Sequence, residues 1–194
     1  MKNPVVLLTG AGRPAGRAIA ASLAASGATI AAADINPLGL DACLAAVTAA
    51  GGQGKDYPFD ATKRLPVVAL VQRVLDDWGR IDVLINAAEA APTQSLFLLD
   101  EWDFHRALDV NLAGPFLLIQ RVGQVMQEQG GGLIVNLGAA PALGAVAYRV
   151  GKAALAALTD AAAQELAGAG IQVIAVAQGE DMLEQIAVRV AQLP

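Results

Sequence analysis

Residues 4–18 read PVVLLTGAGRPAGRA: an apolar run that stops at Gly10, then a glycine-rich turn, then the start of a helical pattern. A continuous apolar run suits a strand covered on both faces, because a half-exposed strand would alternate apolar with polar. The turn places Gly10, Gly12 and Ala15 in the spacing G-x-G-x-x-G/A. At a helix N-terminus the backbone amides favour an anion, and glycines let a pyrophosphate come close. In a chain this rich in Gly and Ala, the same letters also describe an ordinary tight strand-to-helix turn. The residues around the turn have to decide.

Working outward, a second strand-like run, ATIAAAD (28–34), ends in Asp34. A carboxylate about 20 residues past the glycine turn is placed to accept from a ribose 2′-hydroxyl. Its plainer reading is an N-cap for the next helix. Beyond it the pattern predicts helices over 14–26, 38–50, 63–78, 99–128, 147–167 and 181–192, alternating with strands over 55–59, 81–86, 133–137 and 171–177. Strands alternating with helices imply right-handed crossovers and a parallel sheet covered on both faces. The expected fold is a doubly wound, Rossmann-like three-layer α/β/α arrangement forming a single domain over residues 1–194. Ligands of such sheets bind at the carboxyl ends of the strands, where each candidate residue below falls.

The bulk composition narrows the function. The chain is 55% hydrophobic but only 4% aromatic, so its core is expected to be Ala, Val, Leu and Ile. A net charge of −5, with no basic run, argues against a nucleic-acid partner. Cys43 is the one cysteine, so no intrachain disulfide can form, and it reads as a buried or half-buried helical thiol. No secretory signal or membrane span is visible, and the expectation is a soluble cytoplasmic protein. His105 is the one histidine and reads as a helix-surface residue, so no metal site is expected. No G-x-S-x-G elbow supplies a nucleophile.

AYRVGKAAL (147–155) sets Tyr148 and Lys152 one helical turn apart on one face. A phenol beside an ammonium can move a proton, although the same pair also occurs on ordinary amphipathic helices.

With these residues the chain resembles the short-chain dehydrogenase/reductase family, up to about Gly179. TGAGRPAG is similar to that family's T-G-x-x-x-G-x-G loop, and Asp60 in FDAT stands where the family contacts adenine. LINAAEA resembles its N-N-A-G strand end through Asn86, Ala87 and Ala88. DVNLAGPF carries its helix asparagine as Asn111, IVNLGA resembles the strand that ends in the catalytic serine, YRVGK is its Y-x-x-x-K, and IQVIAVAQG resembles its V-x-x-V-x-P-G segment. The resemblance implies a nicotinamide dinucleotide held by Gly10, Gly12, Arg13, Pro14, Ala15, Gly16, Asp34, Asp60, Asn86, Ala87, Ala88, Tyr148 and Lys152. Asp34 implies NAD(H) over NADP(H), while Arg13 beside it would suit a 2′-phosphate. Tyr148 would exchange a proton with a small carbonyl or alcohol substrate, and Asn111 would anchor a water leading to Lys152. Lys152 would hold the nicotinamide ribose and lower the tyrosine pKa. A cation about 4 Å away at an effective dielectric near 20 is worth about 4 kcal/mol, or about three pKa units. The resemblance also implies a homodimer or homotetramer, formed through the helices at 99–128 and 147–167.

The departures are as specific as the matches. Pro14 replaces the middle loop glycine, and Glu89 replaces the glycine that ends N-N-A-G. Gln178 replaces the proline before Gly179, and Ala139, after Gly138, stands where the catalytic serine belongs. The segment 139–148 is a few residues shorter than the family norm, and little chain follows Gly179 to cover a substrate. Glu89 could act as a catalytic acid, but a solvated loop carboxylate is the commoner case and the expectation here. The leading expectation is an oxidoreductase weakened by the missing serine. A non-catalytic, cofactor-binding or protein-interaction relative is the alternative. Another Rossmann-type enzyme, such as a methyltransferase, would leave Tyr148 and Lys152 unexplained.

Overall fold

Val5–Thr9 forms β1, with all of its residues buried, at the middle of a six-stranded parallel sheet ordered β3-β2-β1-β4-β5-β6. The computed structural model describes residues 3–140 and 145–193. The other strands are β2 (Thr29–Asp34), β3 (Gln53–Pro58), β4 (Val83–Asn86), β5 (Gly132–Leu137) and β6 (Ile171–Val176). The helices are α1 (Pro14–Ala25), α2 (Pro37–Ala49), α3 (Arg64–Trp78), α4 (Glu101–Leu108), α5 (Gly114–Gln129), α6 (Val146–Leu166) and α7 (Met182–Ala191).

Neighbouring residues of β1 serve opposite cores, which is why its sequence does not alternate. Val6 and Leu8 pack with Ile19, Leu23, Leu40 and Ile186 on the side of α1, α2 and α7. Val5 and Leu7 pack with Val71, Leu118 and Val122 on the side of α3, α5 and α6. The chain crosses β1–β2–β3 in one direction and then returns to add β4, β5 and β6 on the other side of β1. That reversal opens the crevice in which doubly wound sheets bind ligands.

The expected elements are present, with corrections. β3 begins two residues earlier than the expected 55–59. β4 begins at Val83 rather than residue 81, because Asp82 turns its carboxylate back to accept from the Val5 amide (2.8 Å) and to pair with Arg80 (2.6 Å). The expected helix over 99–128 is interrupted by a π-helical turn at Asp109–Ala113. Pro115, next to the start of α5, has no N–H to give to the carbonyl four residues back, so a regular α-helix cannot run through Asn111. Cys43 is buried, as expected, and burial pushes its thiol up to about 11. His105 is exposed on α4, 3.6 Å from Glu101. Among the described residues, no helix is long and apolar enough to cross a membrane, and no group of three His, Cys, Asp or Glu side chains could hold a metal.

Candidate active site

The turn after β1 is packed as tightly as its glycines allow. Gly10 has a φ of +66°, and a Cβ on it would sit 2.5 Å from the Ala87 carbonyl and the Ala88 amide. A Cβ on Gly16 would overlap the Gly10 carbonyl, so α1 can rest on the turn only without one. The Thr9 hydroxyl accepts from the amides of Ala87 (3.2 Å) and Ala88 (3.4 Å), fixing the exit of β4 against the turn. Pro14 occupies the first turn of α1, where its missing N–H costs nothing. The amides of Ala15 and Gly16 follow it in that first turn, where no intrahelical carbonyl precedes them.

Asp34 closes the adjoining wall. Its carboxylate accepts from the Gly12 amide and from the Asn36 amide, both at 3.0 Å. The N-cap reading of Asp34 is corrected, because Asn36 caps α2 by accepting from the Leu38 amide. A cavity of about 280 Å³ lies here, lined among others by Gly12, Arg13, Asp34, Asp60, Glu89 and Arg106. This volume lies at the small end of ligand pockets, which run from about 300 Å³ upward. Burial alone would raise the Asp60 pKa, but bonds from the Thr62 amide (2.9 Å) and hydroxyl (2.8 Å), with the charges of Arg106 and Lys63, hold it below the usual range.

Tyr148 and Lys152 stand over the other half of the crevice, both buried on α6. The Lys152 ammonium donates to the Leu137 carbonyl at 2.8 Å and lies 5.7 Å from the centre of the Tyr148 ring. The Ala140 amide donates to the Tyr148 oxygen at 2.9 Å. Ala139 is exposed, next to Ala140 whose amide reaches the phenol. The expected shortening of 139–148 falls partly on residues 141–144, outside the described residues.

Glu89 is the residue whose setting the sequence misjudged. Its side chain is only 7% exposed, not solvated. Glu89 Oε2 accepts from the Tyr148 hydroxyl (3.2 Å) and from Gln178 Nε2 (3.0 Å), and lies 3.8 Å from the Lys152 ammonium. Arg13 donates to the Glu89 carbonyl at 3.2 Å and reaches its Oε1 at 3.6 Å. Gln178 also donates to the Gly138 carbonyl at 3.0 Å. The available signal was the pair of departures at the ends of β4 and β6, a carboxylate and an amide replacing Gly and Pro on strands that flank β5.

This carboxylate reverses one expectation. The Tyr148 pKa is raised, by burial first; the Ala140 amide lowers it, and Glu89 raises it further through its charge and hydrogen bond. Lys152 does not draw the phenol down as expected, because its ammonium is turned to Leu137 and Glu89. Burial pushes Lys152 down to about 8; the Glu89 charge opposes that shift and Arg13 adds to it.

Asn111 sits in the π turn with its amide committed to backbone. It donates to the carbonyls of Ala90 (2.7 Å) and Ala107 (2.8 Å) and accepts from the Ala90 amide (3.3 Å). It therefore anchors the residue that follows Glu89. Asn86, at the end of β4, donates to Asn136 (2.8 Å), which donates to Thr159 (2.8 Å). The glycine cradle that a Cβ would fill and the acid at the end of β2 fit a nicotinamide dinucleotide, and Tyr148 and Lys152 offer donors to its second half. The Glu89 side chain now lies among those donors.

A glycine turn at the start of α1 thus stands at one end of the crevice and the Tyr148–Lys152 pair at the other. The chain belongs to the short-chain dehydrogenase family, whose model matches residues 4–182. It is 37% identical over 180 residues to the D-threitol dehydrogenase of Mycolicibacterium smegmatis, across 89% of this chain and 68% of that protein. The crystal structure of an NAD+-bound xylitol dehydrogenase superposes with a TM-score of 0.86 at 32% identity, covering 95% of this chain and 75% of that one. A metagenomic short-chain oxidoreductase in complex with NADP superposes with a TM-score of 0.91 at 28% identity, covering 100% of this chain and 93% of that one. The protein is a nicotinamide-dependent oxidoreductase that moves hydride between the cofactor and a carbonyl or alcohol.

Proposed function

We propose that Tyr148 is the proton-transferring residue of a small carbonyl or alcohol oxidoreductase, with residues 1–194 acting as one cofactor-binding unit in the cytoplasm. The observation that carries this is the buried Tyr148 oxygen, held by the Ala140 amide at 2.9 Å one helical turn from Lys152. A nicotinamide cofactor, when bound, gives or takes the hydride. In reduction Tyr148 gives its proton to the substrate oxygen. The Ala140 amide then steadies the phenolate left behind, and the Lys152 ammonium supplies positive charge within reach of the ring. Asn111 holds the Ala90 segment, and with it the wall of the site.

Ala139 has no hydroxyl to offer the reacting oxygen. One missing donor of this kind costs about 10²- to 10³-fold in rate, about 2.7–4 kcal/mol. The enzyme is therefore slowed rather than silenced, since the proton donor and its amide remain.

The cofactor is NAD(H) in preference to NADP(H). Asp34 would accept from a ribose 2′-hydroxyl and repel a 2′-phosphate. Arg13, whose charge would suit that phosphate, is engaged with Glu89 instead. The small faces of α5 and α6 support a homodimer or homotetramer: Phe116 is 44% exposed and shares a groove with Ile119, Gly123, Leu158 and Ala161.

Titrating the purified protein with NADH and NADPH, followed by an assay on threitol, xylitol and the matching ketones, tests the reading. Tighter NADH binding with NADH-dependent turnover is expected. Tighter NADPH binding would overturn the cofactor choice, and failure of both to bind would overturn the site.

A further inference from the structure

The cavity beside Asp34 and Asp60 reaches Glu89 just after β4, and on the side of Tyr148 the Glu89 side chain itself stands among the polar groups of the crevice. The Glu89 carboxylate meets the Tyr148 hydroxyl, the Gln178 amide and the Lys152 ammonium through one oxygen and Arg13 through the other. These partners come from the turn after β1, from α6 and from the turn after β6, so one side chain ties the two halves of the crevice together. The backbone around it is fixed on both sides. Thr9 holds the Ala87 and Ala88 amides, and Asn111 holds both polar groups of Ala90. With its flanking backbone held, Glu89 can leave these partners by rotation of its side chain.

A dinucleotide lies across both mononucleotide halves of a doubly wound sheet, so its second half needs the space and the donors that Glu89 now takes. We propose that Glu89 is a specificity-determining residue of the cofactor crevice. Its carboxylate, clasped by Tyr148, Lys152, Gln178 and Arg13, competes with the second nucleotide half. The resting crevice accepts an adenosine 5′-diphosphate moiety and admits the nicotinamide half only when the clasp opens. This rests on the NAD(H) reading above and adds that the dinucleotide gains little over its adenosine half. A ligand whose competent state is a minor one binds more weakly by the populated fraction, so removing the clasp should tighten the dinucleotide and leave the diphosphate alone.

Calorimetric titration of the wild type, Glu89→Ala and Glu89→Gln with ADP and with NADH tests this. The wild type is expected to bind the two ligands within about 3-fold of each other. Glu89→Ala should tighten NADH about 10-fold or more while ADP stays within about 2-fold, which also reports an intact fold. Glu89→Gln should fall between, since the amide keeps the shape but loses its attraction for Lys152 and Arg13. If Glu89→Ala disturbs the fold and weakens ADP, Glu89→Gln carries the comparison. Wild-type NADH binding about 10-fold tighter than ADP, or variants that bind ADP normally without gaining NADH affinity, would overturn the clasp alone. Failure of ADP and NADH alike to bind the wild type would overturn the cofactor reading and the clasp with it.

Discussion

Tyr148 donates to Glu89 across 3.2 Å from a position 59 residues away in the chain, and the carboxylate adds to the burial that favours the protonated phenol. Burial raises the Tyr148 pKa first, and the neighbouring carboxylate raises it further against the pull of the Ala140 amide. The resting phenol is therefore favoured in its protonated form, the form that the proposed reduction needs.

Tyr148→Phe removes that proton and little else, because the ring still fills its buried place. General acid catalysis contributes about 10²- to 10⁴-fold, and carbonyl reduction should fall by at least the lower figure. NADH affinity should hold or rise slightly, since one donor to the Glu89 carboxylate is lost. Steady-state rates together with a binding titration check both halves. Turnover that survives the change would place the chemistry elsewhere.

Lys152 sets an alkaline limit. Its pKa is pushed down to about 8, mainly by burial, so the charged form is lost as pH rises through that value. The kcat/KM profile should decline above about pH 8. The Glu89 anion favours the ammonium, so neutralising it in Glu89→Gln lowers the lysine pKa further and moves the decline to lower pH. A limb that moves upward, or a flat profile in both proteins, contradicts this assignment.

Asp34→Asn should shift the ratio of NADPH to NADH affinity toward NADPH by about 10-fold, the effect of removing one repulsive charge worth about 1.4 kcal/mol. The asparagine keeps one acceptor, for the Gly12 amide, and gives up the bond from the Asn36 amide; parallel fluorescence titrations read the ratio.

Much of this site was legible because its signals are local. The apolar run of β1, the turn from Gly10 to Gly16 and the carboxylate at the end of β2 are set by neighbours in sequence, and the sheet brought them together as expected. The π turn was hidden because apolar spacing continues through Asp109–Ala113; only Pro115 signalled the break. The Glu89 setting was illegible for a different reason. Its partners, Arg13, Tyr148, Lys152 and Gln178, lie on separate segments, and only the fold makes a loop carboxylate into a buried one. Asp34 shows the same limit on a smaller scale, since Asn36, two residues on, took the cap.

Ala139→Ser restores a hydroxyl beside the Ala140 amide. If its side chain reaches the substrate oxygen, turnover should rise about 10-fold or more, within the range one such donor supplies. Steady-state kcat with the best substrate of the wild type measures it. An unchanged kcat would mean that this position does not face the reacting oxygen.

The central claim is that hydride crosses between a nicotinamide bound in this crevice and a substrate oxidised or reduced beside Tyr148. The most direct measurement is transfer of deuterium from NADH labelled at its reactive carbon to a small ketone, read by mass spectrometry of the alcohol. The account predicts alcohol carrying one deuterium with the wild type, more of it per unit time with Ala139→Ser, and almost none with Tyr148→Phe. NADH that binds but yields no labelled alcohol with either the wild type or Ala139→Ser, across polyol-derived and simple ketones, would contradict it.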